Sequence, residues 1–176
     1  MEIKQAVIFA GGIGKRLRPL TNDRPKPMVL VNGRPFLEYL IELLKQEGIS
    51  EVLILLGYLT EKVQKYFGDG SKFGIKINYH IGRVEDLTGT RLRNAQHLLQ
   101  EHFLLMYGDN YWPMNLSKMV DFYNKMGVLG SMTVYNNRDG GAEYGAENNV
   151  QVSNEGYILK YDQDHKDSDA NGTNTG

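Results

Sequence analysis

The densest chemistry in the chain lies near its N-terminus, in Ala10-Gly11-Gly12-Ile13-Gly14-Lys15-Arg16-Leu17-Arg18-Pro19-Leu20-Thr21. Glycines directly after an apolar run let the main chain come close to an anion and present its N–H groups to it. From Lys15 to Arg34 there are six basic side chains (Lys15, Arg16, Arg18, Arg24, Lys26, Arg34) and one acid, Asp23, a local excess of +5 in a chain of net charge -1. Arginine clamps phosphate oxygens with paired donors, and lysine adds a movable point charge. The combination fits a triphosphate. A P-loop would need Ser or Thr after Gly14-Lys15, where Arg16 stands, and a dinucleotide fingerprint would need a third glycine at Leu17. Pro19, Pro25 and Pro27 exclude a regular helix after the glycines, so this basic, proline-stiffened loop reads as a lid over a substrate.

A second candidate is the carboxylate of Gly108-Asp109-Asn110, directly after the apolar run Phe103 to Tyr107. In an open α/β sheet ligands bind at the carboxyl ends of strands, which would put Asp109 and the glycine loop on one crevice. One carboxylate with phosphate oxygens and waters makes a normal Mg²⁺ shell; an Asp that merely caps a turn is the other reading. His80, His97, His102 and His165 share no metal-ligand spacing. The absence of cysteine removes disulfides, thiolate nucleophiles and Cys-ligated zinc, and fits a reducing compartment. With 20 basic against 21 acidic residues there is no global field for nucleic acid or an anionic membrane. No apolar run approaches the roughly 20 residues of a membrane span. The expectation is a soluble, cytoplasmic chain with neither nucleic acid nor membrane as partner.

The elements that must position these residues alternate. Ala6 to Ala10, Val52 to Leu56 and Phe103 to Tyr107 read as strands buried on both faces, and Ile75 to Ile81 as a half-buried one. Helical stripes follow Pro35, run from Thr60 to Phe67 and from about Thr90 to Leu99, and include Leu116, Met119, Val120 and Tyr123; a strand is expected near Ser131 to Tyr135. Asn148 to Ser153 and Tyr157 to Asp162 flank Asn154-Glu155-Gly156 as a hairpin. The fold expected is α/β, a Rossmann-like three-layer α/β/α sandwich with a mainly parallel sheet and an appended β-hairpin, forming one domain over 1–176 with 163–176 as a loop or disordered end.

Ala10 to Thr21 followed by Arg24-Pro25-Lys26-Pro27-Met28 resembles the signature of the sugar-1-phosphate nucleotidyltransferase family, G-G-x-G-T-R-L-x-P-L-T and then x-P-K-P, with Lys15 where the family has Thr. The resemblance implies an enzyme that joins a nucleoside triphosphate to a sugar 1-phosphate and releases pyrophosphate, for activated-sugar biosynthesis. It implies that Arg16 binds the leaving pyrophosphate and Lys26 the phosphate at the reacting centre. The nucleotide is held at Ala10, Gly11, Gly12 and Gly14, and Asp109 binds Mg²⁺. Leu87-Thr88-Gly89-Thr90 resembles the loop that selects the base, which brings in Gly89 and Thr90, although Arg91-Leu92-Arg93 replaces small residues there. Arg91 reads as a solvated helix residue, with a phosphate contact as the other reading. Tyr144 and Gly145 resemble the pair lining the sugar pocket. Asp162 matches the acid of an acid-Lys pair; Gln163 follows it, so the Lys is missing or displaced to Lys160 or Lys166. That change keeps open a non-catalytic nucleotide or sugar-nucleotide sensor; a homo-oligomer is likewise open. Asn174-Thr175-Gly176 looks like the start of a further family strand, which implies a chain shortened at its C-terminal end.

Overall fold

The computed structural model describes residues 2–135, 148–162, 164, 166 and 169–174. They fall into two units, Met1–Met126 and Gly127–Gly176. The first is built on strand β1 (Gln5–Ala10), a two-residue pair β2 (Leu30–Val31) and β3 (Arg34–Pro35), helix α1 (Phe36–Gln46), β4 (Glu51–Leu56), α2 (Thr60–Phe67), β5 (Lys76–Ile81), α3 (Thr88–Asn94), β6 (Phe103–Tyr107) and α4 (Leu116–Met126). Four strands form a parallel sheet in the order β5-β4-β1-β6.

Residue alternation along the strands separates two apolar layers. Ala6, Ile8 and Ala10 of β1 and Val52, Ile54 and Leu56 of β4 pack with Leu37, Leu40, Ile41 and Leu44 of α1, Val63 and Phe67 of α2, and Leu116 and Val120 of α4. Val7, Leu53 and Leu55 pack on the other face with Ala95, Leu92, Leu98 and Leu99. Each fully buried aliphatic side chain contributes roughly 1.5–3 kcal/mol, so β1 and β4, apolar on both faces, anchor the unit. The three-layer α/β/α expectation therefore holds. The edge strand β6 departs from its expected double-sided burial: Leu104 and Met106 are buried, whereas Leu105 and Tyr107 are 37% and 39% exposed. Among the described residues β6 has a strand neighbour on one side only, and it keeps half of its pattern inside.

The order of strands decides where a ligand can bind. From β1 the chain steps outward to β4 and β5, then returns across the sheet to β6 on the other side of β1. The connections diverge between β1 and β6, and a crevice opens at that switch point beyond the strands' carboxyl ends. The basic loop reaches this region partly anchored rather than as a free lid, because Pro25, Pro27 and Met28 are buried beneath it.

The second unit contains β7 (Val134–Tyr135), β8 (Val150–Val152), β9 (Ile158–Tyr161) and β10 (Thr173–Asn174). β8 and β9 pair antiparallel around Asn154-Glu155-Gly156, the hairpin expected, and β10 pairs antiparallel with β7. The strand expected over Ser131 to Tyr135 is confined to its last two residues.

Candidate functional site

Each of the four parallel strands is followed at once by glycine: Gly11, Gly57, Gly82 and Gly108. Their register aligns the ends, Ala10 opposite Leu56 and Leu56 opposite Ile81. The missing side chains leave room along the rim of the sheet, which the Arg91 guanidinium fills beside Gly11, Gly57 and Gly82 and the Pro27 ring approaches beside Gly108. A cleft of about 230 Å³ opens there, lined by residues of the β1 and β6 ends and by Lys26, Pro27, Val84, Asp86, Thr88 and Arg91.

At one end of the cleft Lys26 Nζ donates to Asp109 Oδ2 at 2.5 Å, bridging residues 83 positions apart in sequence. Lys26 begins a short 3₁₀ turn, Lys26–Met28, closed by Met28 N–H to Pro25 O at 2.8 Å and held down by buried Pro27. Gly108 lets this turn come close: a Cβ there would stand 2.8 Å from Phe9 O and 3.4 Å from the Pro27 ring. Gly14 supports Lys26 from the other side. It has φ +68°, and a Cβ on it would meet Lys26 Cβ at 3.0 Å. Thr21, fully buried, donates from Oγ1 to Gly14 O at 2.9 Å and fixes the loop. The pair of Lys26 and Asp109 is partly exposed, with side chains 31% and 40% accessible, so the bond itself is weak and exchangeable.

Of the residues expected in a site, Ala10, Gly11, Gly12, Lys26 and Asp109 line this one cleft. Gly14 acts behind Lys26. Arg16, in the exposed turn Lys15–Leu17, and Gly89 and Thr90, on α3, do not line it; Thr88 does. Asp162 lies in the second unit, where its carboxylate accepts the Asp164 and Lys166 amides at 3.0 and 2.6 Å. Tyr144 and Gly145 lie outside the described residues. The basic excess is divided: Arg24 pairs with Asp23, Arg34 with Glu38 and Glu42, and Lys26 with Asp109.

Arg91 corrects the sequence reading. It is 4% exposed rather than solvated. Its Nε donates to Asp86 O at 3.1 Å, Nη1 to Leu56 O at 2.9 Å, and Nη2 to Arg83 O and Val84 O at 2.6 and 3.0 Å. Val84 and Asp86 were missed as well, and within Leu87-Thr88-Gly89-Thr90 it is Thr88 that lines the cleft. The signal that points to them is the glycine after each strand, which marks where side chains or ligands approach the main chain.

Among the described residues no cluster of three or more His, Cys, Asp or Glu forms a metal cage. Asp109 gives one oxygen to Lys26 and stands at the mouth of the cleft, a donor set that suits a hard cation carried in with phosphate oxygens rather than a protein-built centre.

A family model described as Nucleotidyl transferase matches residues 5–155. The chain is similar to the D-glycero-alpha-D-manno-heptose 1-phosphate guanylyltransferase of Campylobacter jejuni, 37% identical over 115 residues, which is 65% of this chain and 52% of that protein. It is also similar to the UTP–glucose-1-phosphate uridylyltransferase of Synechocystis, 33% identical over 140 residues, 73% of this chain and 36% of that one. The chain thus spans about half the length of the first relative and about a third of the second. The crystal structure of HddC from Yersinia pseudotuberculosis matches in fold with a TM-score of 0.71, at 22% identity, over 99% of this chain and 75% of its own.

Proposed function

The chain belongs to the nucleotidyl transferase family, and from that premise we propose that it takes part in transfer of a nucleotidyl group from a nucleoside triphosphate to a sugar 1-phosphate, with release of pyrophosphate. The observation that carries this reading is the convergence of Gly11, Gly12, Gly108, Lys26 and Asp109 on one cleft at the switch point of the sheet. An oxygen of the sugar phosphate attacks the α-phosphorus, the bond to the bridging oxygen breaks, and pyrophosphate departs with that electron pair. The nucleophile is already an anion at neutral pH, so no general base is required. What remains is to hold two polyanions in line and to stabilise spread negative charge.

The main-chain N–H groups at Gly11 and Gly12 serve the triphosphate, and Lys26 stabilises charge at the reacting phosphate. Arg16, exposed on its turn, serves the departing pyrophosphate by swinging in. Asp109, with phosphate oxygens and water, would hold Mg²⁺, whose chemistry is to neutralise polyphosphate charge. Substrate binding moves the Lys26 ammonium from Asp109 to phosphate, and the carboxylate so released would be the group to hold the cation. Tyr144, Gly145 and Asp162 are assigned to the sugar side, and Gly14, Gly89 and Thr90 to support of the nucleotide. Such reactions belong to the cytoplasm, where nucleoside triphosphates and sugar phosphates meet.

The test is pyrophosphate release from a panel of nucleoside triphosphates and sugar 1-phosphates with Mg²⁺. Lys26→Ala and Asp109→Asn each lower the rate on the order of 10²- to 10³-fold. Nucleotide binding without any release by the unaltered chain favours the sensor reading, and unchanged release in both variants removes the assignment.

A further inference from the structure

We propose that Arg91 is a positioning residue that organises the nucleoside end of the cleft, so that it governs nucleotide affinity without acting on the phosphates. The inference rests on the nucleotide reading of the cleft. Lys26 and Asp109 occupy the β6 side of the cleft, and Val84, Asp86 and Thr88 come from the segment after β5, beyond β1 and β4 in the sheet order. A triphosphate at the first end leaves the base and ribose to the second. That second end carries an apolar side chain, a carboxylate and a hydroxyl, groups suited to a base edge and ribose rather than to phosphate.

Nothing regular holds this segment. Residues 82–87 are neither helix nor strand; Gly82 N–H to Leu56 O at 3.0 Å and Asp86 N–H to Arg83 O at 3.2 Å shape them locally, and Arg91, from the first turn of α3, adds the side-chain tie across the segment. Four of the five guanidinium donors are committed to main-chain carbonyls, three of them on residues 83, 84 and 86 and the fourth on Leu56 at the end of β4. The planar fork therefore ties the segment to the sheet. Among the described residues no carboxylate lies within ion-pair distance of it; Asp86 turns its own carboxylate to the Arg83 amide at 2.8 Å. The space is made by three strand-end glycines. A Cβ would meet the guanidinium at 2.4 Å from Gly11, 2.6 Å from Gly57 and 3.4 Å from Gly82. A residue of this size in this cage, spending its donors on one loop, is built to hold that loop.

The distinguishing measurement is the binding of the tightest nucleoside triphosphate among ATP, GTP, CTP, UTP and dTTP set beside that of inorganic tripolyphosphate. Arg91→Met weakens the nucleotide about tenfold or more and leaves tripolyphosphate within about twofold. Arg91→Lys rescues little, because an ammonium on a flexible stem cannot span four fixed carbonyls. Equal losses for both ligands, or no loss for the nucleotide, overturn the proposal. Should Arg91→Met not fold, Gly82→Ala takes its place: its methyl would meet Asp86 Oδ2 at 2.8 Å and crowd Arg91, with little main-chain conflict. It shows the same selective loss at smaller size, and equal or absent losses there also overturn the role. A chain that binds nucleotide more tightly than tripolyphosphate yet releases no pyrophosphate refutes the transfer reaction and leaves Arg91 standing.

Discussion

Two glycines of the same loop do different work, and their replacement separates support from contact. Gly14 holds φ +68° against Lys26, so Gly14→Ala forces a left-handed alanine and pushes the lysine stem. The expected cost is roughly 1–2 kcal/mol in stability, with a matching fall in turnover because Lys26 leaves its place beside Asp109. Gly12 lines the cleft, and a methyl there meets nothing within 4 Å. Gly12→Ala should leave denaturant unfolding unchanged within about 0.5 kcal/mol and, on the proposed reading, still weaken nucleotide binding, since the methyl would fill space in the cleft assigned to the phosphates. Urea titration and nucleotide binding on both variants check this; a destabilised Gly12→Ala with normal binding refutes it. Gly12, Gly14 and Lys26 stood out in the sequence because a glycine-rich, basic, proline-punctuated loop has few structural uses, but the sequence put Gly14 at the nucleotide, where the fold sets it behind Lys26. Arg91 was not legible, because an arginine on a helix is ordinarily solvated. Its burial depends on glycines at positions 11, 57 and 82, which only the sheet brings together.

At the scale of elements, β1, β4, α1 and α2 could be read from the chain because their apolar residues are buried as the periods require. The misreadings arose where a neighbour was lacking or a bond changed type. Among the described residues β6 has only β1 beside it, and its apolar run is not all inside. The helix expected to reach Leu99 ends at Asn94 because the Ala95 amide is shared between Arg91 O at 3.2 Å and Leu92 O at 3.1 Å, which hands the chain to a 3₁₀ turn over Gln96–Leu98. On β5, Tyr79 donates its hydroxyl to Gly68 O at 2.6 Å, tying the strand to the end of α2. Burial, and then the Asp69 carboxylate, push its phenol from 10.0 up to about 12. Below the unfolded value both states keep the proton and there is no effect. Between the two values the unfolded chain releases it and the folded chain does not, so stability falls as pH rises through that window. Tyr79→Phe should lower stability at about pH 9 by on the order of 1 kcal/mol through the lost hydrogen bond, and flatten the decline towards about pH 11. Urea midpoints at the two pH values decide it; an equal slope in both proteins would mean that Tyr79 titrates normally.

For the molecule as a whole, a ligand that binds the folded chain alone must stabilise it, and the cleft permits a prediction about which species does so. The cleft is made wholly within the first unit, at the rim of four strands that carry the larger apolar core. Opening that rim requires unfolding the sheet, so bound nucleotide is lost with the fold itself. At a free concentration of about 100 times its dissociation constant the nucleotide adds about 2.7 kcal/mol. The share of the metal follows from Asp109. Its carboxylate pairs with Lys26, and on the proposed reading triphosphate alone would take the ammonium and leave the carboxylate facing phosphate oxygens of the same sign. Magnesium bound at this carboxylate, as proposed, would remove that repulsion. Nucleoside triphosphate with Mg²⁺ should therefore raise the unfolding midpoint more than the same triphosphate with chelator, and Asp109→Asn, which carries no charge to repel, should narrow the gap between the two conditions. Thermal unfolding of the unaltered chain and Asp109→Asn, each with and without Mg²⁺ at matched nucleotide, reads this directly. A gap that persists at full size in Asp109→Asn places the metal's effect elsewhere than at this carboxylate.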